Sequence, residues 1–329
     1  MRATIIWTAG FAAVLACAGA NVQQAGAAAT YPSKPIRFIC PYSPGGASDF
    51  VARTLARELS GFLGQSVIVD NRAGADGGSG TALAAKAPPD GYTLLMGNSG
   101  PLTISPSLYR KVPYDPVRDF QPVSQATVYW YVLVVASSAP FRSLDHLTAA
   151  LKSKHGALTY ASSGVGGGSH LAGELFKLMT GTKAIHVPYT GSAAALRALL
   201  RGRINYLFDT VATAVPHIRE GQLRAFAVTA TRRSQALPEV PTFVQLGLKG
   251  YDVTQWQAVV APAGTPRRIV DVLYRAVVRA LRSPHVIERI GPRAGNELVG
   301  NTPEEFSRAL KSDLAKYAQI IRAAGITVQ

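Results

Sequence analysis

Three turns rich in glycine and serine, each running from an apolar strand into a helix, are the part of this sequence best suited to bind a ligand. They lie at residues 37–49 (RFICPYSPGGASD), 158–171 (LTYASSGVGGGSHL) and 185–196 (IHVPYTGSAAAL). A helix start presents unpaired backbone N–H groups and the positive end of the helix dipole, and glycine lets an anion approach them closely. Any one such turn is also explained as a helix cap or a chain break. The three together predict a cleft that binds a small anion from several sides.

Catalytic and metal-binding motifs are incomplete in this sequence. A dinucleotide-binding fingerprint needs three glycines, but the segment that contains Gly164 and Gly166 has Ser169 in the third position. Neither a P-loop nor a Gly-x-Ser-x-Gly elbow occurs. Ser169 and His170 suggest a nucleophile and its base, but adjacent residues at a helix start point apart. His170 and Glu174 are spaced to share a metal ion, yet two ligands do not complete a site. We therefore predict no catalytic residue, no metal and no cofactor, with an α/β hydrolytic enzyme as the alternative.

The first 29 residues have the three parts of a secretory signal peptide. Arg2 supplies a positive charge, residues 5–17 are apolar, and small residues follow up to Ala29. This pattern predicts cleavage near residues 27–29 and a periplasmic protein. Lipidation at Cys17 is the alternative, but Leu15 stands where a lipoprotein signal usually has a small residue.

The composition of the chain after residue 29 excludes some kinds of site and of binding partner. Cys40 is its one cysteine, which excludes an intramolecular disulfide and a cysteine-based zinc site there. The sequence is basic, with a formal net charge of +15, but its lysines and arginines are scattered along amphipathic helices and form no nucleic-acid recognition motif. The charge is explained either as a field that attracts small anions or as an ordinary solvated surface. We expect a monomer that does not bind nucleic acid.

Short apolar runs alternate with helical patterns, which predicts a mainly parallel α/β protein. Each of the three turns is placed by a predicted strand and the helix after it, namely residues 36–40 and 49–62, 158–161 and 170–179, and 184–187 and 193–200. After an extended run at residues 252–261 the pattern predicts only helices. A capping box at Thr302 and Glu305 begins the last of them.

Two polar and aromatic segments, residues 127–135 and 251–260, lie where the pattern of strands and helices changes. We interpret them as two crossings between lobes. The predicted organisation is a signal peptide at residues 1–29, a first lobe at 30–129 that is completed by 252–329, and a second lobe at 130–251.

Several short motifs follow one another along the chain. They are YPSKPI at 31–36, PGGASD at 44–49, NRAG at 71–74, PDGY at 89–92, SGVG at 163–166 with HL at 170–171, VPYTG at 187–191 and FD at 208–209. In this order they resemble the Bordetella uptake gene (Bug) family, the solute-binding proteins of tripartite tricarboxylate transporters. The resemblance implies a type II periplasmic-binding-protein fold, with two α/β lobes joined by two crossover strands and a ligand cleft that closes between them.

The same resemblance implies the function and the site. The protein would capture a small carboxylate for uptake by the membrane subunits of a tripartite transporter, with a periplasmic sensor as the alternative partner. Backbone amides of residues 43–49 and 162–170 would hold the carboxylate. The expected ligand-binding residues are Tyr42, Ser43, Gly45, Gly46, Ala47, Ser48, Asp49, Asn71, Ser99, Ser162, Gly164, Gly168, Ser169, His170, Tyr189 and Asp209.

The polar side chains in this set have different expected roles. Asp49 is expected to be structural, because its carboxylate would repel an anionic ligand. Asn71, Ser99 and Tyr189 are expected either to line the wall of the cleft or to serve a turn or packing role. Asp209 would meet the end of the ligand that carries no carboxylate. The segment Cys40-Pro41-Tyr42 departs from the family pattern, which leaves the shape of the ligand open.

Overall fold

A computed structural model of the protein describes residues 31–153, 157–323 and 325–326. The predicted signal peptide, its cleavage site and Cys17 lie outside these residues. From Pro32 onward the chain forms one unit, so the boundaries of the two lobes stay a prediction. Within the described ranges, no helix has both the length and the apolar character needed to cross a membrane.

Three parallel strands form one end of the sheet. β1 (Ile36–Cys40) lies between β2 (Val67–Asn71) and β3 (Thr93–Asn98). The chain turns after β1 into α1 (Ala47–Leu63), which begins slightly before the predicted residue 49. The other helices of this part are α2 (Gly78–Ala85), a π-helical turn (Gly100–Ile104) and α3 (Ser105–Leu108).

A second set of parallel strands forms the other end. β5 (Thr159–Ser162) lies between β6 (Ile185–Pro188) and β7 (Tyr206–Thr210). The helices of this part are α4 (Leu144–Ser153), α5 (Gly168–Thr180), α6 (Ser192–Leu200) and α7 (Val211–Arg219). The sequence pattern missed α7 because Pro216, which usually breaks a helix, lies inside it.

One long strand, β4 (Phe120–Ala136), connects the two sets. Its residues 120–130 pair antiparallel with β9 (Thr254–Pro262), and its later residues pair antiparallel with β7 and with β8 (Leu223–Val228). The strand order is β2-β1-β3-β9-β4-β7-β5-β6. The prediction of a mainly parallel sheet is therefore wrong at the centre, where β4 and β9 run antiparallel to their neighbours.

The end of the chain contains α8 (Arg267–Leu281), α9 (Pro284–Ile290), β10 (Asn296–Leu298) and α10 (Pro303–Ala323). β10 pairs with residues 127–129 of β4, so the prediction that only helices follow β9 is wrong. A strand of this length is too short to show the alternation that marks strands in a sequence. The capping box is confirmed, because the Glu305 N–H donates to Thr302 Oγ1 at 3.2 Å and the Thr302 N–H donates to Glu305 Oε2 at 2.9 Å.

Aromatic side chains fix the position of α5 and of the glycine-rich turn before it. Tyr251 stacks on Phe243 with ring centroids 4.2 Å apart, and its hydroxyl donates to the carbonyl of Ala172 in α5 at 2.6 Å. The helix also packs on the ring of Tyr160 through Gly173, where an added Cβ would lie 2.7 Å from Tyr160 Cζ. Only glycine allows this close approach.

We expect Gly173→Ala to destabilise the protein by about 1–3 kcal/mol, because the added methyl overpacks against Tyr160. Gly61→Ala in α1 is the matched control, since an added Cβ there meets nothing within 4 Å. That change should stabilise the protein by up to about 1 kcal/mol through helix propensity. Urea unfolding of both variants measures the two effects, and equal shifts of the same sign would contradict the packing we describe.

Candidate ligand-binding site

The three turns predicted from the sequence each open a helix at a glycine. The N-cap residues of α1, α5 and α6 are Gly46, Gly167 and Gly191, and within the described residues no side chain caps these helices. By contrast, the N-cap residues of α7 and α9 are Thr210 and Ser283, whose hydroxyls accept first-turn N–H groups. The first-turn N–H groups of α1, α5 and α6 are therefore available to an acceptor from outside the chain.

Asp49 holds the first turn together. Its carboxylate accepts the Gly45 N–H at 2.9 Å, and Arg53 and Asn71 donate to it at 3.0 and 2.8 Å. Burial raises the pKa of Asp49, but these hydrogen bonds outweigh it and lower the pKa below the usual value. Gly45 has a φ of +82°, which favours glycine, whereas Gly46 has an ordinary φ of −83°. The hydrogen bonds of Asp49, Arg53 and Asn71 are thus made to one another and to this turn.

A pair of stacked histidines supports the second turn. The Gly166 N–H donates to His170 Nδ1 at 3.2 Å, and the His170 ring stacks on His186 at 4.1 Å. His186 Nε2 lies 2.6 Å from the hydroxyl of Ser162, which donates to the Gly164 carbonyl at 2.9 Å. Burial lowers the pKa of both histidines, that of His186 to about 3, so His186 is neutral at pH 7. The sequence analysis missed His186.

Ser169 and His170 do not form a nucleophile and base pair. The Ser169 hydroxyl donates to the carbonyl of Phe208 at 2.6 Å, while His170 Nδ1 accepts the Gly166 N–H. Both side chains are buried. They stabilise the start of α5 instead.

The third turn is joined to the second by backbone hydrogen bonds. The Tyr189 N–H donates to the Ser162 carbonyl at 3.0 Å, and the Gly191 N–H donates to the Ser163 carbonyl at 2.9 Å. The turns that lead into α5 and α6 therefore lie side by side. The Tyr189 side chain is half-buried and packs against the core.

Asp209 lies at the end of β7, fully enclosed by protein. Neither carboxylate oxygen makes a hydrogen bond of ordinary geometry within the described residues. Burial raises the pKa of Asp209 to about 6, an increase that nearby Thr213, the Thr210 backbone and Ser192 partly offset. Ser192 is the first residue of α6, which places Asp209 beside the third turn.

Ser48 and Ser99 turn their hydroxyls inward. Ser48 donates to Asn98 Oδ1 at 2.8 Å, and Ser99 donates to Gln255 Oε1 at 2.7 Å. Gln255 was not among the predicted residues, although it lies against the second turn. A Cβ added to Gly168 would be 2.6 Å from Gln255 Cδ. Ser99 is fully buried, and its hydroxyl is hydrogen-bonded to Gln255 and to the Trp256 N–H.

Asp76 is the residue that joins the first turn to the second, and the sequence analysis missed it. The Tyr42 hydroxyl donates to its carbonyl at 3.3 Å. Its carboxyl faces the second turn, since a Cβ added to Gly167 would lie 2.9 Å from Asp76 Oδ2 and one added to Gly164 would lie 3.3 Å from Oδ1. The signal available in the sequence was a single acidic residue inside the glycine-rich run GADGGSG at 74–80.

The Asp76 carboxyl lacks the partners that a buried acid normally has. Asp76 keeps some solvent exposure as a residue, but its Oδ2 atom is enclosed and has no hydrogen-bond partner among the described residues. Burial raises its pKa to about 8, and no cation contributes. Its titratable neighbours are Tyr42, Tyr109, Tyr114, Tyr129 and Tyr131, whose pKa values are raised by burial and, to a smaller extent, by Asp76. Asp76 also has a left-handed backbone, with φ +47° and ψ +45°.

The structure thus brings only part of the predicted set together. Tyr42, Gly164 and Gly168 lie around Asp76 or Gln255, with Gly46, Ala47 and Ser162 in the turns beside them. Ser43 and Gly45 are exposed. Whether each residue contacts a ligand stays a prediction.

The raised pKa of Asp76 predicts a pH-dependent stability. Asp76 binds its proton more tightly in the folded protein than in the unfolded chain, where its pKa is near 4. This difference stabilises the fold at low pH, and the contribution is lost as the pH rises from about 4 toward 8. We expect the free energy of unfolding of the native protein, relative to Asp76→Asn, to fall by up to about 1.4 kcal/mol per pH unit across this window. Urea unfolding of both proteins at pH 5, 6, 7 and 8 measures the difference. A difference that stays constant with pH would contradict a buried, unpaired Asp76.

Comparison with known proteins places this geometry in a family. The family described as "Tripartite tricarboxylate transporter family receptor" matches residues 51–326. Protein BugT of Bordetella pertussis is 38% identical over 318 residues, which cover 95% of this chain and 97% of BugT. Two solved structures from Rhodopseudomonas palustris are also similar. Rpa4515 with adipate is 34% identical with a TM-score of 0.86, covering 90% of this chain and 99% of that one. MatC with bound malate is 30% identical with a TM-score of 0.83, covering 88% of this chain and 100% of that one.

This chain therefore belongs to the tripartite tricarboxylate transporter receptor family, to which the Bug proteins also belong, and has its periplasmic-binding fold.

Proposed function

We propose that this protein captures a small carboxylate in the periplasm and delivers it to the membrane subunits of a tripartite transporter. The observation that carries the proposal is that α1, α5 and α6 open at uncapped glycines and that the turns before them are joined to one another or to Asp76. Relatives solved with adipate and with malate support a carboxylate as the ligand. The signal peptide expected at residues 1–29 supports export.

Backbone N–H groups would bind the carboxylate without a paired arginine. Arg53, which lies near the first turn, already donates to Asp49 and to Asn71 Oδ1. First-turn N–H groups carry part of the helix dipole and point outward, so a carboxylate can accept several of them at once. The net charge of +15 adds long-range attraction for an anion.

In this proposal the protein is a binding protein and not an enzyme. The hydroxyl of Ser169 is used by the Phe208 carbonyl, and His170 Nδ1 is used by the Gly166 N–H. No group of three or more metal-ligating side chains occurs within the described part of the chain. The ligand would be released unchanged.

Gly46→Val should weaken binding at least tenfold while leaving the fold intact. At the φ of Gly46 a side chain is allowed, and an added Cβ would make only an ordinary contact of 3.6 Å with the Ser43 carbonyl. The larger side chain would, however, cover the N–H groups at the start of α1. Calorimetric titration with the acid that most stabilises the native protein, from a panel containing malate and adipate, measures the loss. Gly61→Val in the same helix is the control, and equal affinity in all three proteins would remove the first turn from the site.

Ligand binding should also close the two predicted lobes on each other as a hinge motion. Trp130 in β4 and Trp256 in β9 lie in the two predicted crossings and are almost fully buried. We expect tryptophan fluorescence to change and the radius of gyration to decrease when the same acid is added. Small-angle scattering measures the second effect. Identical scattering curves with and without a ligand proven to bind would contradict closure and favour an enzyme with a preformed pocket.

A further inference from the structure

The Asp76 carboxyl occupies an unusual position for an acid in a site that binds anions. It lies against Gly164 and Gly167 of the second turn, and its Oδ2 atom is enclosed without a hydrogen-bond partner among the described residues. A carboxylate of the ligand held at the start of α5 would come close to it. When Asp76 is ionised, its negative charge and that of the ligand carboxylate repel each other strongly where water is excluded.

Nothing described around Asp76 can offset this repulsion. Its titratable neighbours are Tyr42 after β1, Tyr109 and Tyr114 after α3, and Tyr129 and Tyr131 in β4, all of them neutral at pH 7. No cation of the described residues acts on its carboxyl. The missing partner must therefore come from the ligand, or Asp76 must stay protonated.

We propose that Asp76 determines ligand specificity by accepting a hydrogen bond from an ammonium or hydroxyl group next to the bound carboxylate. The inference rests on the proposed function. It means that this protein selects amino or hydroxy acids over plain dicarboxylates of the same length. An ammonium group is the better partner, because it also neutralises the charge of Asp76. A buried acceptor that a plain diacid leaves unpaired discriminates against that diacid.

The test compares acids that differ at one carbon. Succinate, malate and aspartate share a four-carbon chain and carry hydrogen, hydroxyl and ammonium at the second carbon. Adipate and 2-aminoadipate form a longer pair. Calorimetric titration at pH 9, above the Asp76 pKa of about 8, would be carried out on the native protein, on Asp76→Asn and on Glu220→Gln, which removes an exposed carboxylate elsewhere.

We expect the native protein to bind aspartate at least tenfold more tightly than succinate, or 2-aminoadipate at least tenfold more tightly than adipate. Asp76→Asn should reduce this preference at least tenfold, by weakening the amino acid and strengthening the diacid, while Glu220→Gln keeps it. The affinity of the native protein for the diacid should also rise as the pH falls from 9 to 6, and that of Asp76→Asn should not. Asparagine tolerates the left-handed backbone of Asp76, and Asp76→Gly gives a second variant that does so without any side chain.

Two outcomes would overturn the inference in different ways. If the native protein binds plain diacids as tightly as their amino and hydroxy counterparts, or if Asp76→Asn weakens all of them equally, Asp76 does not determine specificity and the proposed function stands. If none of these acids binds to the native protein, the proposed function fails and the inference fails with it.

Discussion

Backbone N–H groups at a helix start must find an acceptor, and this requirement governs the design of the site. α4, α7, α9 and α10 satisfy it with the hydroxyl of a serine or threonine. The N-cap residues of α1, α5 and α6 are glycines, which have no side chain that could accept these N–H groups. An uncapped start alone does not mark a site, because α8 after Pro266 is also uncapped within the described residues. The difference is that α1, α5 and α6 follow glycine-rich turns that are tied to one another or to Asp76.

The sheet brings these starts together. β1 and β5 are parallel to their neighbours at the two ends of the sheet, and each delivers its turn at its carboxyl end, where open α/β sheets commonly bind ligands. β4 runs through both sets of strands, so a change in its path would alter the distance between the turns. Glycine at position 173 then lets α5 approach Tyr160. The backbone positions proposed to bind the ligand thus depend on packing elsewhere in the protein.

The sequence predicted the segments of strand, turn and helix well, because each is specified by residues that are close together in the chain. An apolar strand, a glycine-rich turn and an amphipathic helix can be recognised within about 25 residues, as for β1 and α1. The sequence analysis singled out only residues 127–135 of β4, because Pro122 and the buried polar residues Ser124 and Gln125 hide the pattern of its first half. Polar side chains of β4 find partners across the sheet, as when Thr127 Oγ1 donates to Gln257 Oε1 at 2.8 Å. Such partners come from distant parts of the chain.

Asp76 could not be assigned from sequence for the same reason. The run GADGGSG predicts a turn, and an aspartate in a turn is normally exposed. Its burial arises when this turn meets residues that are distant along the chain, among them Gly164 and Gly167. By contrast, Asp49 could be interpreted from sequence, because its partners Gly45 and Arg53 are four residues away on either side.

A crystal structure of the protein grown with whichever of aspartate and 2-aminoadipate binds more tightly tests the central claim most directly. The account predicts a carboxylate of the ligand on the first-turn N–H groups of α1 and α5, with the ammonium within hydrogen-bond distance of Asp76. A ligand bound elsewhere, for example in the surface cavity lined by Arg282 and Glu297, with Asp76 still unpaired against Gly164 and Gly167, would contradict it.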